Sequence, residues 1–235
     1  IYADAIGADF IMYEYDTNFS LWSEQIKNTY PYLTMYNIIN FYKIHLMYEL
    51  AMKYDEILFL DFDVVPMKNE NFFEAWDLTK GIAVLNNNNK VTKIESVTDT
   101  SQTIRSPSSK YFNAQAMLFE KGLSTKNDVI NTGIVGINKD HLVKLNYFAN
   151  FENDLKMMSD LKESSDIFPK KVLQYFGWDN ETLFSVKLNE NNVPVQWLDD
   201  KWHYFLYIQG FIPKETILCH TINKDFDLVW RRLNA

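Results

Sequence analysis

Hydrophobic positions along the chain follow two different periods, which alternate from one segment to the next. Residues 57–60 are apolar without interruption, the pattern of a short strand buried on both faces of a sheet. Residues 36–53 instead carry apolar side chains at the spacing of an amphipathic helix. This alternation predicts an α/β fold, with a single-domain, Rossmann-like, mostly parallel sheet flanked by helices.

The remaining segments continue the same alternation. Further strands are predicted over residues 9–15, 81–85, 129–137, 194–198 and 216–219. Helices are predicted over residues 111–121, 139–149, 154–162, 179–188 and 225–233, with a helical turn over 69–76. Residues 86–110 are polar and without a period, and a loop of this length is usually functional or mobile.

The beginning of the chain is unusual for such a fold. Residues 1–6 resemble the end of a helix, and Gly7 stands at the position after its C-cap. A parallel α/β domain normally opens on a strand. We therefore expect residues 1–235 to form one domain that is N-terminally truncated, with its first strand before Ile1 in the natural polypeptide.

Composition and charge narrow the class of protein. Hydrophobic residues make up 47% of the chain and charged residues 23%, as in an ordinary globular domain. The net charge of −8 argues against nucleic-acid binding, because no basic field attracts phosphates. Cys219 is the only cysteine, which excludes an intrachain disulfide and favours a reducing compartment. No apolar segment reaches the roughly 18 residues of a membrane span and no signal-peptide pattern opens the chain, so a cytoplasmic location is expected.

Two carboxylates stand directly after the predicted strand at residues 57–60. Asp61 and Asp63 are one residue apart, and a backbone that stays extended would direct both side chains to the same side. Ligands of open α/β sheets bind beyond the carboxyl ends of the strands. Carboxylate oxygens at such a place are typical ligands of Mg²⁺ or Mn²⁺. The alternative is a pair of solvated acids that cap the following turn.

Two later segments place polar groups inside or after apolar runs. Asn131, Thr132 and Gly133 interrupt a predicted strand, where a glycine allows a ligand or another backbone to come close. A plain β-bulge is the alternative interpretation. His220 directly follows an apolar run and can bind a metal through a neutral imidazole nitrogen. A hydrogen-bonded core histidine is the alternative there.

Acids and lysines form the last group of candidates. Asp179 and Glu181 stand at the start of the predicted helix at residues 179–188, where Asp179 can also serve as an ordinary helix cap. Lys43 and Lys224 can neutralise phosphate oxygens, or can be solvated surface lysines. Three histidines have no comparable context and are left unassigned: His45, His141 and His203.

The order and spacing of these motifs resemble those of nucleotide-sugar glycosyltransferases with the A-type fold, particularly the glycogenin and galactinol-synthase-like group. The family pattern has a basic residue on a helix, here Lys43, and then a Tyr-Asp strand that ends in Asp-x-Asp, here residues 54–63. An Asn-(Ser/Thr/Ala)-Gly segment follows, here residues 131–133, and then a Gly-Asp-Gln-like helix start, here residues 177–181. A strand-end histidine with a later lysine completes the pattern, here His220 and Lys224.

The chain departs from this pattern at three places. The first strand, whose loop normally holds the nucleotide base, is expected to be missing. Trp178 is inserted into the Gly-Asp-Gln-like element. The family usually has a glycine three residues and a lysine six residues after the late histidine, whereas Asn223 and Lys224 follow here.

The resemblance implies a metal-dependent hexosyltransferase. It would move a sugar from a nucleotide-diphosphate donor, expected to be UDP-linked, to a glycan or glycoprotein acceptor, as in polysaccharide biosynthesis. Asp61, Asp63 and His220 would hold Mn²⁺ or Mg²⁺ on the donor diphosphate. The other donor-binding residues would be Lys43, Phe62, Asn131, Thr132, Gly133 and Lys224. Asp179 or Glu181 would be the catalytic base if the reaction inverts the sugar, and residues 86–110 would form an acceptor-side lid.

Two other functions fit part of the sequence. Residues 58–65 resemble the first motif of haloacid-dehalogenase-like phosphatases, with Asp61 as nucleophile and Asp199 and Asp200 as a late acidic motif. That motif usually lies near the N-terminus and before a Gly-rich turn, whereas Pro66 follows it here. The other alternative is a non-catalytic relative of the transferases that binds glycans.

Overall fold

The computed structural model describes residues 1–92, 106–164, 170–206, 211–222 and 224–233. The helices are α1 (Tyr2–Ile6), α2 (Thr17–Thr29), α3 (Met35–Ala51), α4 (Phe72–Ala75), α5 (Ser106–Glu120), α6 (Lys139–Leu145), α7 (Phe151–Ser164), α8 (Lys170–Leu173), α9 (Asn180–Glu190) and α10 (Phe226–Leu233). The strands are β1 (Glu56–Leu60), β2 (Val64–Pro66), β3 (Ile82–Asn86), β4 (Ile130–Asn138), β5 (Val195–Trp197), β6 (Tyr204–Phe205) and β7 (Leu218–His220). Short 3-10 helices occupy Leu78–Lys80 and Asn88–Lys90.

The α/β class that the hydrophobic pattern predicts is confirmed, but the strand directions are mixed rather than mostly parallel. The larger sheet has the order β1-β4-β3-β5, and β4 runs antiparallel to both of its neighbours, whereas β3 and β5 are parallel. In the smaller sheet, β2 is antiparallel to β7 and β6 is parallel to it. After β3, the chain passes through α5 and comes back to the same end of the sheet, because Asn86 at the end of β3 pairs with Ile130 at the start of β4. From that position β4 can only run back along β3.

Helix α3 places one basic side chain beside the end of β1. A capping box between Thr34 and Asn37 begins the helix, in agreement with the helix predicted over residues 36–53. Its buried face includes Phe41, Ile44 and Met47, which belong to the main hydrophobic core. Lys43 lies on the same helix and is only 8% exposed. The helix therefore delivers a cation into the interior of the protein.

Strand β4 separates two hydrophobic cores. Val135 and Ile137 belong to the core formed with α3, α5, α7 and α9. Ile134, one residue away, belongs to the second core together with Phe72 and Leu78. Successive side chains of a strand point to opposite faces, so this single strand is buried on both of its faces. The apolar residues on both faces of the second half of the strand predicted over residues 129–137 have this origin.

Two predicted segments differ from the structure. Residues 9–15 form no strand, and Phe10 and Tyr15 are 75% and 73% exposed. Their apolar pattern is suited to a strand, but a strand also needs a neighbour for its backbone hydrogen bonds. The segment predicted as a loop over residues 86–110 contains a 3-10 helix at Asn88–Lys90, and its last residues belong to α5, which begins at Ser106. Residues 93–105, the central part of this segment and of the acceptor-side lid expected over residues 86–110, lie outside the described residues.

No helix in the described ranges combines the length and the hydrophobicity that crossing a bilayer requires.

Replacing Gly136 with alanine should destabilise the fold. A Cβ atom at this position of β4 would lie 2.7 Å from Cζ of Phe72 and 3.0 Å from Cδ2 of Leu78, both fully buried side chains that have no room to move. Overpacking of this kind costs about 2 kcal/mol of unfolding free energy, which urea denaturation will measure. Gly177→Ala is the control, because nothing lies within 4 Å of its added Cβ. Equal stability of the two variants would contradict the close packing of β4 on α4.

Candidate functional site

The two acids after β1 are brought together by a turn. The Asp61 N–H donates to the Gly133 carbonyl at 2.8 Å, and the Val64 N–H donates back to the Asp61 carbonyl at 2.9 Å. The condition of an extended backbone through Asp61 and Asp63 is not met, since residues 61–63 leave the direction of β1 before β2 begins. The turn fixes both carboxylates at the junction of the two sheets.

One side chain from the end of the smaller sheet completes a compact group. Val64 pairs with His220 in the β2–β7 ladder, and the Thr221 N–H donates to the Asp63 carbonyl at 2.8 Å. As a result, one potential ligand atom from each of Asp61, Asp63 and His220 lies within 4.8 Å of the others. Two carboxylate oxygens and an imidazole nitrogen suit a divalent cation such as Mn²⁺. These three residues therefore fit the metal site that the sequence predicts.

Cationic side chains surround the two acids. Lys43 Nζ lies 3.4 Å from Asp61 Oδ1, and Lys224 Nζ lies 3.3 Å from Asp63 Oδ2. His220 Nε2 lies 3.3 Å from Asp63 Oδ1. Burial raises the pKa of Asp61 even though Lys43 opposes the shift. Burial also acts to raise the pKa of Asp63, but the hydrogen bond from His220 and the charge of Lys224 outweigh it and lower that pKa.

The side chain between the two acids points away from the protein. Phe62 is 77% exposed, and Lys224 Nζ lies 4.6 Å from the centre of its ring. An exposed aromatic ring beside a lysine provides a stacking surface and a positive charge at the rim of the site.

Gly133 is required because the His220 ring occupies the space of a side chain. A Cβ atom at residue 133 would lie 2.7 Å from His220 Nδ1 and 3.0 Å from Asn131 Oδ1. Asn131 Oδ1 in turn accepts a hydrogen bond from the Gly133 N–H at 3.0 Å. The close approach predicted for this glycine is thus made by a site histidine from another strand.

A second histidine lies directly behind His220. His203 Nε2 is 3.0 Å from His220 Nδ1, and the His203 side chain is buried. Burial, together with the charges of His220, Lys90 and Lys43, lowers the pKa of His203 well below its ordinary value. Sequence reasoning left this residue unassigned, because the contact joins two neighbouring strand regions 17 positions apart and no local pattern marks it.

A buried acid connects α9 to the centre of β4. Glu181 Oε1 accepts hydrogen bonds from the Thr132 N–H at 2.7 Å and the Thr132 hydroxyl at 3.2 Å. Its other oxygen forms an ion pair with Lys110 of α5. Burial acts to raise the pKa of Glu181, but the charges of Lys110 and Lys43 reverse that effect and lower it. Glu181 is therefore held ionised with both of its oxygens occupied.

Asp179 combines a helix cap with an ion pair. Its Oδ1 accepts hydrogen bonds from the N–H groups of Glu181 and Thr182 at 3.0 and 2.9 Å. Its Oδ2 lies 3.6 Å from Lys110 Nζ. The two neighbouring acids raise the pKa of Lys110 against the opposing effect of burial. The sequence contained no pattern that singled out Lys110, which lay at the end of the predicted loop.

A cavity of about 370 Å³ opens beside this second group of charges. Lys110, Asp179 and Trp178 line it, as do Asn113 and Thr182. Asn113 Oδ1 and Thr182 Oγ1 are buried polar atoms without a hydrogen-bond partner in the described part of the chain. A larger cavity of about 620 Å³, between Ala5 and Trp202, contains none of the predicted site residues.

Comparison with known proteins gives one family. The sequence profile described as Glycosyl transferase family 8 matches residues 9–149. No curated protein sequence matches the chain. Among solved structures, mouse xyloside xylosyltransferase 1 in its apo form is similar at 12% sequence identity and a TM-score of 0.47. That similarity covers 86% of this chain and 72% of the mouse protein.

Replacing Lys110 with methionine should destabilise the protein in a pH-dependent way. The substitution leaves the buried Glu181 carboxylate without its ion partner, and removing one partner of such a pair costs about 3 kcal/mol of unfolding free energy at pH 7. The pKa of Glu181 is lowered in the wild type, so ionised Glu181 stabilises the fold above its unfolded pKa. In the variant, burial favours the protonated form. The difference in unfolding free energy between the wild type and Lys110→Met should therefore become smaller as the pH falls from 7 to 5.

Urea denaturation across this pH range measures the effect. Lys156→Met is the matched control, because Lys156 forms an exposed ion pair with Asp160 on α7. Such pairs contribute about 0.5 kcal/mol or less. A stability difference for Lys110→Met that does not change with pH would mean that only the packing of the lysine chain had been lost.

Proposed function

The chain belongs to glycosyl transferase family 8 and is a glycosyltransferase, and we propose that it moves a sugar from a nucleotide-diphosphate donor to a hydroxyl group of a glycan or glycoprotein. The expected donor is UDP-linked. The observation that carries the proposal is the approach of Asp61, Asp63 and His220, whose ligand atoms lie within 4.8 Å of one another. The first two stand inside the matched segment, residues 9–149, and the third lies beyond it.

Asp61, Asp63 and His220 would hold a divalent cation on the donor diphosphate. The imidazole nitrogen favours Mn²⁺ over Mg²⁺, since the protein ligands of Mg²⁺ are predominantly oxygen atoms. When bound, the cation supplies Lewis acidity that stabilises the departing diphosphate. Lys224, which reaches the site from beyond β7, would add positive charge for the phosphate oxygens.

The remaining donor-binding residues would orient the sugar and the nucleotide. Asn131 and Gly133 would border the donor sugar, and Thr132 would fix their backbone through its bonds to Glu181. The exposed ring of Phe62 would contact the nucleoside part of the donor. Lys43 would keep Asp61 charged from the buried side of the site.

We assign different roles to the two acids at the start of α9. Glu181 would act as a positioning residue, because Thr132 and Lys110 occupy both of its oxygens. Asp179 lines the open cavity and would be the acid nearest to the reacting sugar.

The phosphatase alternative has less support. Membership of a glycosyltransferase family does not favour it. Asp199, the acid expected in its late motif, accepts hydrogen bonds from the N–H groups of Lys201 and Trp202 and so caps a turn. Binding of UDP by the protein would separate the two functions, since a phosphatase of this class needs no nucleotide site.

Donor hydrolysis should require Mn²⁺ and Asp63. In the wild type, removal of the cation with EDTA should abolish release of UDP from UDP-sugars, and added Mn²⁺ should restore it. Asp63→Asn should lower kcat/KM by at least about 100-fold, because metal stabilisation of a leaving group contributes several kcal/mol and each 1.4 kcal/mol is about tenfold in rate. Asp160→Asn, at an exposed ion pair of α7, is the control. Full activity of Asp63→Asn, or of the metal-free protein, would refute the proposed site.

Asp179→Asn should separate the chemical role of this residue from its role as a helix cap. The asparagine keeps an oxygen for the N–H groups of Glu181 and Thr182, so the unfolding free energy should stay within about 0.5 kcal/mol of the wild type. Asp179→Ala should instead lose about 1 kcal/mol. If the charge of Asp179 acts at the reacting centre, Asp179→Asn should lower kcat by about 100-fold or more. An unchanged kcat in this variant would limit Asp179 to capping.

A further inference from the structure

The hydrogen bond between His203 and His220 restricts which nitrogen of His220 can bind a cation. His220 Nε2 faces Asp63 at 3.3 Å, whereas His220 Nδ1 faces His203 Nε2 at 3.0 Å. A neutral imidazole has one N–H donor and one acceptor nitrogen. A cation bound to Nε2 therefore requires the proton of His220 to be on Nδ1. That proton needs an acceptor, and His203 Nε2 is the atom in reach.

The two rings are buried among close neighbours. The Gly133 backbone lies against one part of the His220 ring, so closely that an added Cβ would be 2.7 Å from Nδ1. The Phe205 ring lies 5.3 Å from the His220 ring and 4.8 Å from the His203 ring, centre to centre. His203 itself is 1% exposed. A flip of the His220 ring would move its two nitrogens away from Asp63 and His203, so while both contacts are kept, only the position of the proton can change.

We propose that His203 is a positioning residue for the cation: it accepts the His220 Nδ1–H and thereby presents the Nε2 lone pair beside Asp63. This inference rests on the proposed role of His220 as a metal ligand. A histidine ligand usually donates its second N–H to a carboxylate, a backbone carbonyl or water. Here the acceptor is a neutral imidazole, so the site gains an oriented ligand without a further negative charge.

The unpartnered nitrogen of His203 gives the pair a second state. His203 Nδ1 has no hydrogen-bond partner within the described ranges. When His203 accepts from His220, its own proton is on this Nδ1, and a buried N–H without an acceptor is unfavourable. Without a cation, the opposite proton positions leave fewer buried N–H groups without an acceptor. In that state the His203 Nε2–H donates to His220 Nδ1, and the His220 Nε2–H donates to Asp63. The hydrogen bond between the rings should therefore reverse its direction when the cation binds.

Cation affinity in the absence of donor tests this role. Mn²⁺ dissociation constants can be measured by electron paramagnetic resonance on the wild type, His203→Phe and His203→Gln. Phenylalanine fills the space of the ring but accepts no hydrogen bond, and loss of such a partner weakens metal binding about 10-fold or more. Glutamine offers a carbonyl acceptor and should recover most of the affinity. His141→Phe is the control, because His141 Nε2 bonds to the Thr79 carbonyl and the residue lies outside the site.

Nitrogen NMR of the wild type tests the proton positions directly. The chain has only 4 histidines, so their ring signals can be assigned by substitution. With saturating Mg²⁺ or Cd²⁺, both diamagnetic, the proton of His220 is expected on Nδ1 and that of His203 on Nδ1. A His220 proton on Nε2 in the cation-bound protein would overturn the inference. So would a folded His203→Phe variant with the Mn²⁺ affinity of the wild type.

The outcomes separate this inference from the proposed function. A wild type that binds no Mn²⁺ either alone or with UDP would refute both. A wild type that binds Mn²⁺ and releases UDP only with it, but whose affinity is unchanged in His203→Phe, would refute the role of His203 alone.

Discussion

The site depends on how two carboxylates stay in place at the end of a buried strand. Isolated charges in such a position are strongly unfavourable, so each needs a partner. Lys43 reaches Asp61 from α3, while Lys224 and His220 reach Asp63 from the end of the smaller sheet. The backbone of the same turn is bonded to Gly133 of β4 and to Thr221 after β7. The acids thus join the helix and the two sheets at one point.

A second group of charged side chains, at the start of α9, is also held in place by partners of opposite charge. Glu181 and Asp179 share Lys110, and Glu181 also holds the Thr132 N–H of β4. Thr132 is next to Gly133, whose missing side chain leaves room for His220. The two charged groups therefore meet across one short segment of β4. Residues 131–133 contact both groups, because Thr132 bonds to Glu181 and Gly133 lies against the His220 ring.

Local patterns predicted the elements whose formation depends on local chemistry. The helix over residues 36–53 has a capping box and a continuous apolar face, and the structure begins it at Met35. The strand over residues 129–137 is apolar because both of its faces are covered. The strand predicted at residues 9–15 failed because a suitable pattern does not supply a pairing partner. The prediction of mostly parallel strands was wrong for a related reason. The direction of β4 follows from the path of the connection through α5, and apolar periodicity does not encode that path.

The sequence alone determined that Asp61 and Asp63 form a pair, because they are two positions apart at the end of an apolar run. It also indicated His220 and Gly133, since each interrupts or ends a strand pattern. Three contacts could be seen only in the folded protein: the bond from the Asp61 N–H to Gly133, the ion pair of Lys110 with Glu181, and the contact of His203 with His220. Each of them joins different segments of the chain. No local pattern encodes such a contact, because it exists only after the sheets and helices have packed.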